Sequence, residues 1–65
     1  MKIRYFQQTD SLYIEFLPPE QVQTRDLDEN TLLDIDGDGN IVTVTVEHAS
    51  KRADIPHFTL EQIAA

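Results

Sequence analysis

The amino-acid sequence predicts a mainly β (α+β) fold, a small antiparallel β-meander of four to five strands followed by a short C-terminal helix. Apolar and polar residues alternate with period two along several short segments, which is the pattern of half-buried strands. Every connection between these segments is too short for a parallel crossover, so neighbouring strands are expected to run antiparallel. The chain of 65 residues is interpreted as a single domain spanning residues 1–65.

The first two strands are predicted near the N-terminus. Residues 2–5 (KIRY) and 12–16 (LYIEF) both alternate with period two, and residues 8–10 supply the turn between them. The pair Pro18-Pro19 ends the second strand, because proline cannot donate to a ladder and restricts the residue before it.

Three further strands are predicted after the prolines. A weaker strand spans about residues 22–27, and residues 28–30 provide turn chemistry. The strongest strands are 31–36 (TLLDID) and 41–46 (IVTVTV), the second of which has very high β-propensity. Residues 47–53 are interpreted as a turn or a single helical turn.

The turn between the two strongest strands contains Asp38 and Gly39, and the apolar pattern predicts its register. A two-residue or four-residue loop centred on this pair makes one face of the hairpin almost wholly apolar, whereas a three-residue loop splits the core. The expected pairs are Ile35 with Val42, Leu33 with Val44 and Thr31 with Val46. Asp34 and Asp36 are then expected on the second, mixed face, beside Leu32, Ile41, Thr43 and Thr45.

The C-terminal helix is predicted from a capping box formed by Thr59 and Gln62, with Phe58 and Ile63 placed as a hydrophobic staple. Pro56 closes the segment before it. At about six residues this helix is too short to be stable in isolation. We therefore expect it to dock either on its own sheet or on a partner subunit.

Composition limits the classes of function. Twelve acidic and five basic residues give a formal charge of −7, which disfavours nucleic acid and anionic membrane surfaces as partners. There is no cysteine, so disulfides cannot stabilise so small a core, and a homo-oligomer, most simply a dimer, is expected instead. No signal-peptide pattern and no apolar run of about 20 residues is present, so a cytoplasmic location is expected.

The acidic turn from Asp34 to Asn40 begins like a calcium-binding loop. Asp34, Asp36 and Asp38 have the spacing of the first three ligands, but Thr45 stands where the loop needs a bidentate glutamate, and the flanks are strands rather than helices. A weak divalent-cation site using Asp36 and Asp38 is the alternative function that this turn suggests.

No other pattern indicates a cofactor or a reaction. His48 and His57 lack ligand spacing, and Ser11 and Ser50 lack the context of a nucleophile. We therefore expect neither a cofactor nor an enzyme, but a protein that acts through self-association and a protein partner. The residues expected to make these interactions are Tyr13, Leu32 and Ile41 on the mixed face, with Phe58, Leu60 and Ile63 in the tail.

Four segments together resemble a known family. KIRY, TDSLYIEF, TLLDIDGDGNIV and HASKR, in this order over residues 2–52, are similar to the patterns KIxYD, xADALYI, ILDYDxDGxIVGIEI and DASKR of DUF2283, a family of small bacterial proteins of unknown function. The chain departs from these patterns at Phe6-Gln7, Thr43 and His48. The resemblance implies no established activity and no catalytic residue. It suggests a link to gene pairs of the toxin–antitoxin kind, and so an antitoxin-like or regulatory role.

Overall fold

The computed structural model describes residues 1–64, which form one five-stranded antiparallel sheet. The elements are β1 (Lys2–Phe6), β2 (Ser11–Glu15), β3 (Val22–Asp28), β4 (Thr31–Asp36), β5 (Ile41–Val46) and a 3-10 turn at Ala49–Lys51. The mainly β class predicted from the alternating pattern is confirmed. Within these residues there is no helix of the length and apolar character that crossing a membrane requires.

The strand order is β1-β2-β5-β4-β3, which differs from a sequential meander at one connection. Residues 16–21 carry the chain from β2 past the end of the β4–β5 hairpin to the opposite edge of the sheet. The backbone N–H groups of Phe16 and Leu17 donate to the carbonyl of Val42 at 2.7 and 3.3 Å, which holds the start of this crossing. Consequently β5, the segment with the highest β-propensity, is paired on both sides.

The β4–β5 pairing confirms most of the expected register. Thr31 lies opposite Val46 and Leu33 opposite Val44, as the apolar pattern predicts. Near the turn, however, Ile35 lies opposite Ile41 instead of Val42, because the register shifts by one residue after Asp34. A β-bulge therefore separates the body of the hairpin from its turn.

The loop of this hairpin has three residues, 37–39, so the expected even loop is wrong. Asp36 and Asn40 close it, with the Asp36 N–H donating to the Asn40 carbonyl at 3.0 Å. The Gly39 N–H donates to the Asp36 carbonyl at 3.1 Å, and Gly39 has a φ of 85°, which glycine adopts without a steric cost. A three-residue loop that ends in a left-handed residue commonly carries a bulge, and here the bulge restores the apolar register beyond it.

The register sorts the strand residues onto two faces. We call one the aliphatic face; its eight apolar and aromatic members are Ile3, Tyr5, Leu12, Ile14, Leu33, Ile35, Val44 and Val46, and Gln23, Arg25 and Thr31 lie on the same side of the sheet. We call the other the polar face; it carries Lys2, Arg4, Phe6, Ser11, Tyr13, Glu15, Val22, Thr24, Asp26, Leu32, Asp34, Asp36, Thr43 and Thr45. Among the residues that the structure describes, the buried ones are Thr31, Val42, Thr43 and Ala49. The sheet is thus a single layer with very little core.

The predicted C-terminal helix is wrong, because residues 52–64 contain no helix. Residues 53–59 instead run over β1 and β2 on the aliphatic face. The side chains of Phe58, Leu60 and Ile63 are 70%, 75% and 77% exposed. A six-residue helix needs a surface against which to pack its apolar side, and in the part of the chain that the structure describes these three side chains stay mostly in solvent.

Candidate functional site

The aliphatic face gathers eight apolar and aromatic side chains on one side of the sheet. Two cross-strand rows build it: one runs Ile3–Ile14–Val44–Leu33, and the other runs Tyr5–Leu12–Val46–Thr31. None of its eight named members is buried, although the alternating pattern places all of them on the side of the sheet that a core would occupy. Apolar area of this kind is favourable to remove from water, so the face is a candidate association surface.

The segment 53–59 covers only one end of this face. Between it and Ile3, Tyr5, Leu12 and Ile14 lies an open cleft of about 550 Å³, and Ile55, Pro56 and Phe58 supply its other wall. The remaining aliphatic residues lie on β4 and β5 and are half-buried. The face therefore has a partly roofed end and an open end.

Formal charges are concentrated away from the aliphatic face. The charged members of its two rows are Arg25, beside Leu33, and Asp28, beside Thr31, and both lie at the edge strand β3. The polar face, in contrast, carries Lys2, Arg4, Glu15, Asp26 and Asp34. Depletion of charge from an apolar patch is a property of the cores of protein interfaces.

The polar face is organised by hydrogen bonds between neighbouring strands. The hydroxyls of Thr24 and Thr43 donate to the two carboxylate oxygens of Asp34 at 2.6 and 2.7 Å. These two bonds lower the pKa of Asp34 against a small opposing effect of burial. Thr43 is 1% exposed, so its hydroxyl is satisfied by Asp34 and not by bulk water. Asp34 is thus a structural acceptor in the middle of the sheet.

Asp36 serves the turn in a similar way. Its carboxylate accepts the backbone N–H groups of Asp38 and Asn40, both at 2.9 Å, and the Asn40 side-chain amide at 3.2 Å. These donors, Asn40 foremost, lower the pKa of Asp36. In residues 1–64 no group of three or more histidine or acidic side chains is placed to hold a metal ion. The geometry explains the acidic spacing of the turn by hydrogen bonding within the hairpin.

Asp10 joins the β1–β2 turn to the 3-10 turn, forty residues further along the chain. Its carboxylate accepts the Tyr5 hydroxyl at 2.6 Å, the Ser50 N–H at 3.0 Å and the Ser50 hydroxyl at 2.7 Å. Its carbonyl accepts the N–H of the buried Ala49 at 2.9 Å. The hydrogen bond with Tyr5 is the main cause that lowers the pKa of Asp10, and it raises the pKa of Tyr5.

Arg52 makes the matching connection at the β3–β4 turn. Its guanidinium donates to the hydroxyl of Thr31 at 2.8 Å and pairs with the carboxylate of Asp28 at 3.3 Å. The N–H of Glu47 donates to the carbonyl of Asn30 at 2.7 Å. Residues 47–52 therefore form a strap across one end of the sheet, where the sequence predicted a turn or a single helical turn without these contacts. The sequence signal for this strap was the HASKR segment, because its Ser50 bonds to Asp10 and its Arg52 bonds to Thr31 and Asp28.

The structure does not bring the six predicted interaction residues together. Tyr13 and Leu32 lie in one row of the polar face, with Thr45 between them. Ile41 lies at the start of β5 beside the bulge and opposite Ile35 of the aliphatic face, so its expected place on the mixed face is wrong. Phe58 lines the cleft on the opposite side of the sheet, whereas Leu60 and Ile63 extend beyond it. Their role in association stays a prediction.

Sequence reasoning missed Leu33, Ile35, Val44 and Val46 as a candidate surface, because their pattern was interpreted as a monomer core. The pattern itself was interpreted correctly, since these residues do share one face. The available signal was the small size of a 65-residue unit, since units of this size bury only about 60% of the surface that their unfolded chain exposes.

A family model described as "Protein of unknown function (DUF2283)" matches residues 2–50. The chain belongs to this family. The DUF2283 match includes all five strands and ends at Ser50, which is hydrogen-bonded to Asp10. The tail that lines the cleft lies outside the matched residues. Searches of curated proteins and of solved structures find no match.

Proposed function

We propose that this DUF2283 protein is a non-catalytic module that acts by self-association, and that a second copy of the chain covers its aliphatic face. The observation that carries the proposal is that none of the eight apolar members of that face is buried, although residues 53–59 lie over one part of it. A dimer that packs two such faces together supplies the second layer that domains normally have.

The exposed area agrees in size with this proposal. The chain exposes 5419 Å². A folded monomer of 7.5 kDa exposes about 4,250 Å² by the usual scaling of surface with mass, so the excess is about 1,200 Å². Each partner in an interface of standard size contributes about 800 Å². The aliphatic face and the extended tail therefore offer as much surplus surface as a stable dimer needs.

The distribution of charge favours faces over edges as the contact. Each copy carries a formal charge of −7, which opposes association in general. Most of the sheet's carboxylates lie on the polar face or at the turns, so contact through the aliphatic faces keeps them in solvent. Both edge strands carry charged residues, Lys2 and Arg4 on β1 and Arg25 and Asp26 on β3, which protect them from edge-to-edge pairing.

The serine chemistry supports a non-catalytic function. Ser50 donates its hydroxyl directly to Asp10, and Ser11 donates to the Thr9 carbonyl at 3.4 Å. Neither serine is hydrogen-bonded to a histidine within the described part of the chain, so no imidazole base is placed to activate either hydroxyl. The only histidine pair is His57 with Asp54 at 3.0 Å among residues 1–64, and it is exposed in the tail. The hydrogen bonds between Ser50 and Asp10 connect the 3-10 turn to the β1–β2 turn, which is a structural role.

The experiment is a dilution series of the wild-type chain followed by sedimentation velocity and light scattering. We expect a dimer at tens of micromolar that dissociates on dilution. Because the contact is apolar, we expect raised salt to strengthen it slightly, by reducing the repulsion between two acidic chains. A monomer throughout the micromolar range, or association that salt abolishes, contradicts the proposal.

A further inference from the structure

The cleft beneath residues 53–59 is too large to be a packing imperfection. Its volume of about 550 Å³ lies in the range of about 300–1,000 Å³ that is typical of sites that hold a ligand. Its walls are mainly aliphatic and aromatic side chains, contributed by β1 and β2 on one side and by the tail on the other. An occupant of matching chemistry is an apolar side chain or a short run of them.

The tip of the tail carries such side chains directly after the wall of the cleft. Thr59 is the last residue that lines it, and Leu60 and Ile63 follow at 75% and 77% exposure. Two aliphatic side chains this exposed, three residues apart, are left largely in water by the described residues 1–64. The structure thus has an open apolar cleft and, directly after it in the chain, two exposed apolar side chains.

The tip cannot fill its own cleft with both side chains. Because Thr59 belongs to the wall, the chain has to reverse direction after it in order to return, and the tightest common reversal takes four residues. A reversal of that length that begins at Thr59 takes residues 59–62, so Leu60 lies within the turn and only Ile63 is left to return. The cleft lies on the same face as the open aliphatic residues, so a second copy seated on that face stands beside it.

We propose that the two copies of the dimer exchange their C-terminal tips, so that Leu60 and Ile63 of each chain occupy the cleft of the other. This inference rests on the proposed self-association and names its contact. A two-fold axis makes both exchanges equivalent, since any residue pair formed in one direction is repeated in the other. In each copy, residues 53–59 line the cleft that receives the partner's tip, and Leu60 and Ile63 enter the partner's cleft.

The direct test is isotope-filtered NMR on an equimolar mixture of uniformly labelled and unlabelled wild-type chain. We expect intermolecular NOEs between the Leu60 or Ile63 methyl groups of one copy and the methyl groups of Ile3, Leu12 or Ile14 of the other. Intermolecular NOEs that are confined to the strands, with those of Leu60 and Ile63 found only within one chain, overturn the exchange.

A pair of variants gives a thermodynamic test. The double variant Leu60→Ser/Ile63→Ser is expected to raise the dimer dissociation constant about 100-fold or more, because each dimer loses four buried aliphatic side chains. Leu27→Ser is the matched control: Leu27 is 64% exposed on the distant edge strand β3, and we expect its replacement to change the constant less than about twofold. A wild-type monomer overturns both the dimer and the exchange. A wild-type dimer that the double variant leaves unchanged overturns the exchange alone.

Discussion

The two faces of the sheet are made by the same strands, but the polar groups of one face are satisfied within the chain while the apolar side chains of the other stay partly in water. On the polar face, Asp34 accepts the hydroxyls of Thr24 and Thr43, so the central polar groups are satisfied within the chain. On the aliphatic face, Leu33 and Val44 lie side by side and only half-buried. Hydrogen bonds can be completed within one layer, whereas removal of apolar area from water requires a second layer. The aliphatic face is therefore the side of this protein on which a second copy is proposed to bind.

Low pH is expected to have the largest effect of the perturbations considered, by lowering the free energy of unfolding. The pKa of Asp34 is lowered by its two threonine donors, and hydrogen bonds also lower the pKa values of Asp10, Asp28 and Asp36. Each group binds its proton less readily in the folded than in the unfolded chain, so its contribution is present above the unfolded pKa of about 4 and is lost as pH falls through the folded pKa.

Chemical denaturation between pH 7 and pH 2 is expected to show an unfolding free energy that these groups leave level down to about pH 5 and that declines steeply below about pH 4. The variant Asp34→Asn serves as the control and should decline less steeply. A free energy that rises on acidification below pH 4 contradicts the assignment of these carboxylates as acceptors.

Removal of the central acceptor is the next largest perturbation. Asp34→Ala leaves the hydroxyl of the buried Thr43 without its partner, and we expect the free energy of unfolding to fall by about 2 kcal/mol. In the background of Thr43→Val the same substitution should cost less, because no buried hydroxyl is then left unpaired. Equal costs in the two backgrounds, measured by urea denaturation at fixed protein concentration, would show that Asp34 does not act through Thr43.

The turn offers a smaller and more local test. Gly39 has a positive φ and Gly37 does not, while a Cβ at either position meets open space. Gly39→Ala is therefore expected to lower the unfolding free energy by about 1 kcal/mol, and Gly37→Ala to leave it unchanged or to raise it slightly. A larger cost at Gly37 than at Gly39 would contradict the three-residue loop.

The smallest expected effect is that of calcium. Because the carboxylate of Asp36 already accepts three N–H donors of its own turn, we expect millimolar calcium to leave the amide resonances of residues 36–40 in place. Chemical-shift changes that saturate and vanish in Asp38→Asn would instead establish the cation-binding alternative, which the spacing of Asp36 and Asp38 suggests.

The sequence predicted the sheet well because period-two alternation directly encodes which side chains share a face. It placed Leu33 opposite Val44 for that reason. The predicted loop length was wrong. The Asp36 carboxylate accepts the Asn40 N–H across a three-residue loop, and the β-bulge after it restores the expected pairing of Leu33 with Val44. The prediction also failed at the tail, because the local signals at Thr59 and Gln62 favour a helix only when a surface is available for docking.

The candidate surface was harder to predict than the fold. Alternation says that Val44 and Val46 face one way, but it cannot say whether anything covers them. That depends on where the remaining chain goes, and here residues 16–21 cross the hairpin end while residues 47–52 strap the opposite end. Both segments lie at the ends of the sheet, and Val44 and Val46 between them stay half-buried. Residues with the alternating pattern of a core therefore lie at the surface.

Val44 and Thr45 allow the most direct test, since they are adjacent on β5, similarly half-buried and on opposite faces. We propose sedimentation equilibrium on Val44→Lys and Thr45→Lys, after circular dichroism has established that both retain their strands. We expect Val44→Lys to be monomeric at tens of micromolar and Thr45→Lys to dimerise like the wild type, because a charge is excluded only from the covered face. Dimerisation that Thr45→Lys abolishes and Val44→Lys leaves intact would contradict the assignment of the aliphatic face as the contact between copies.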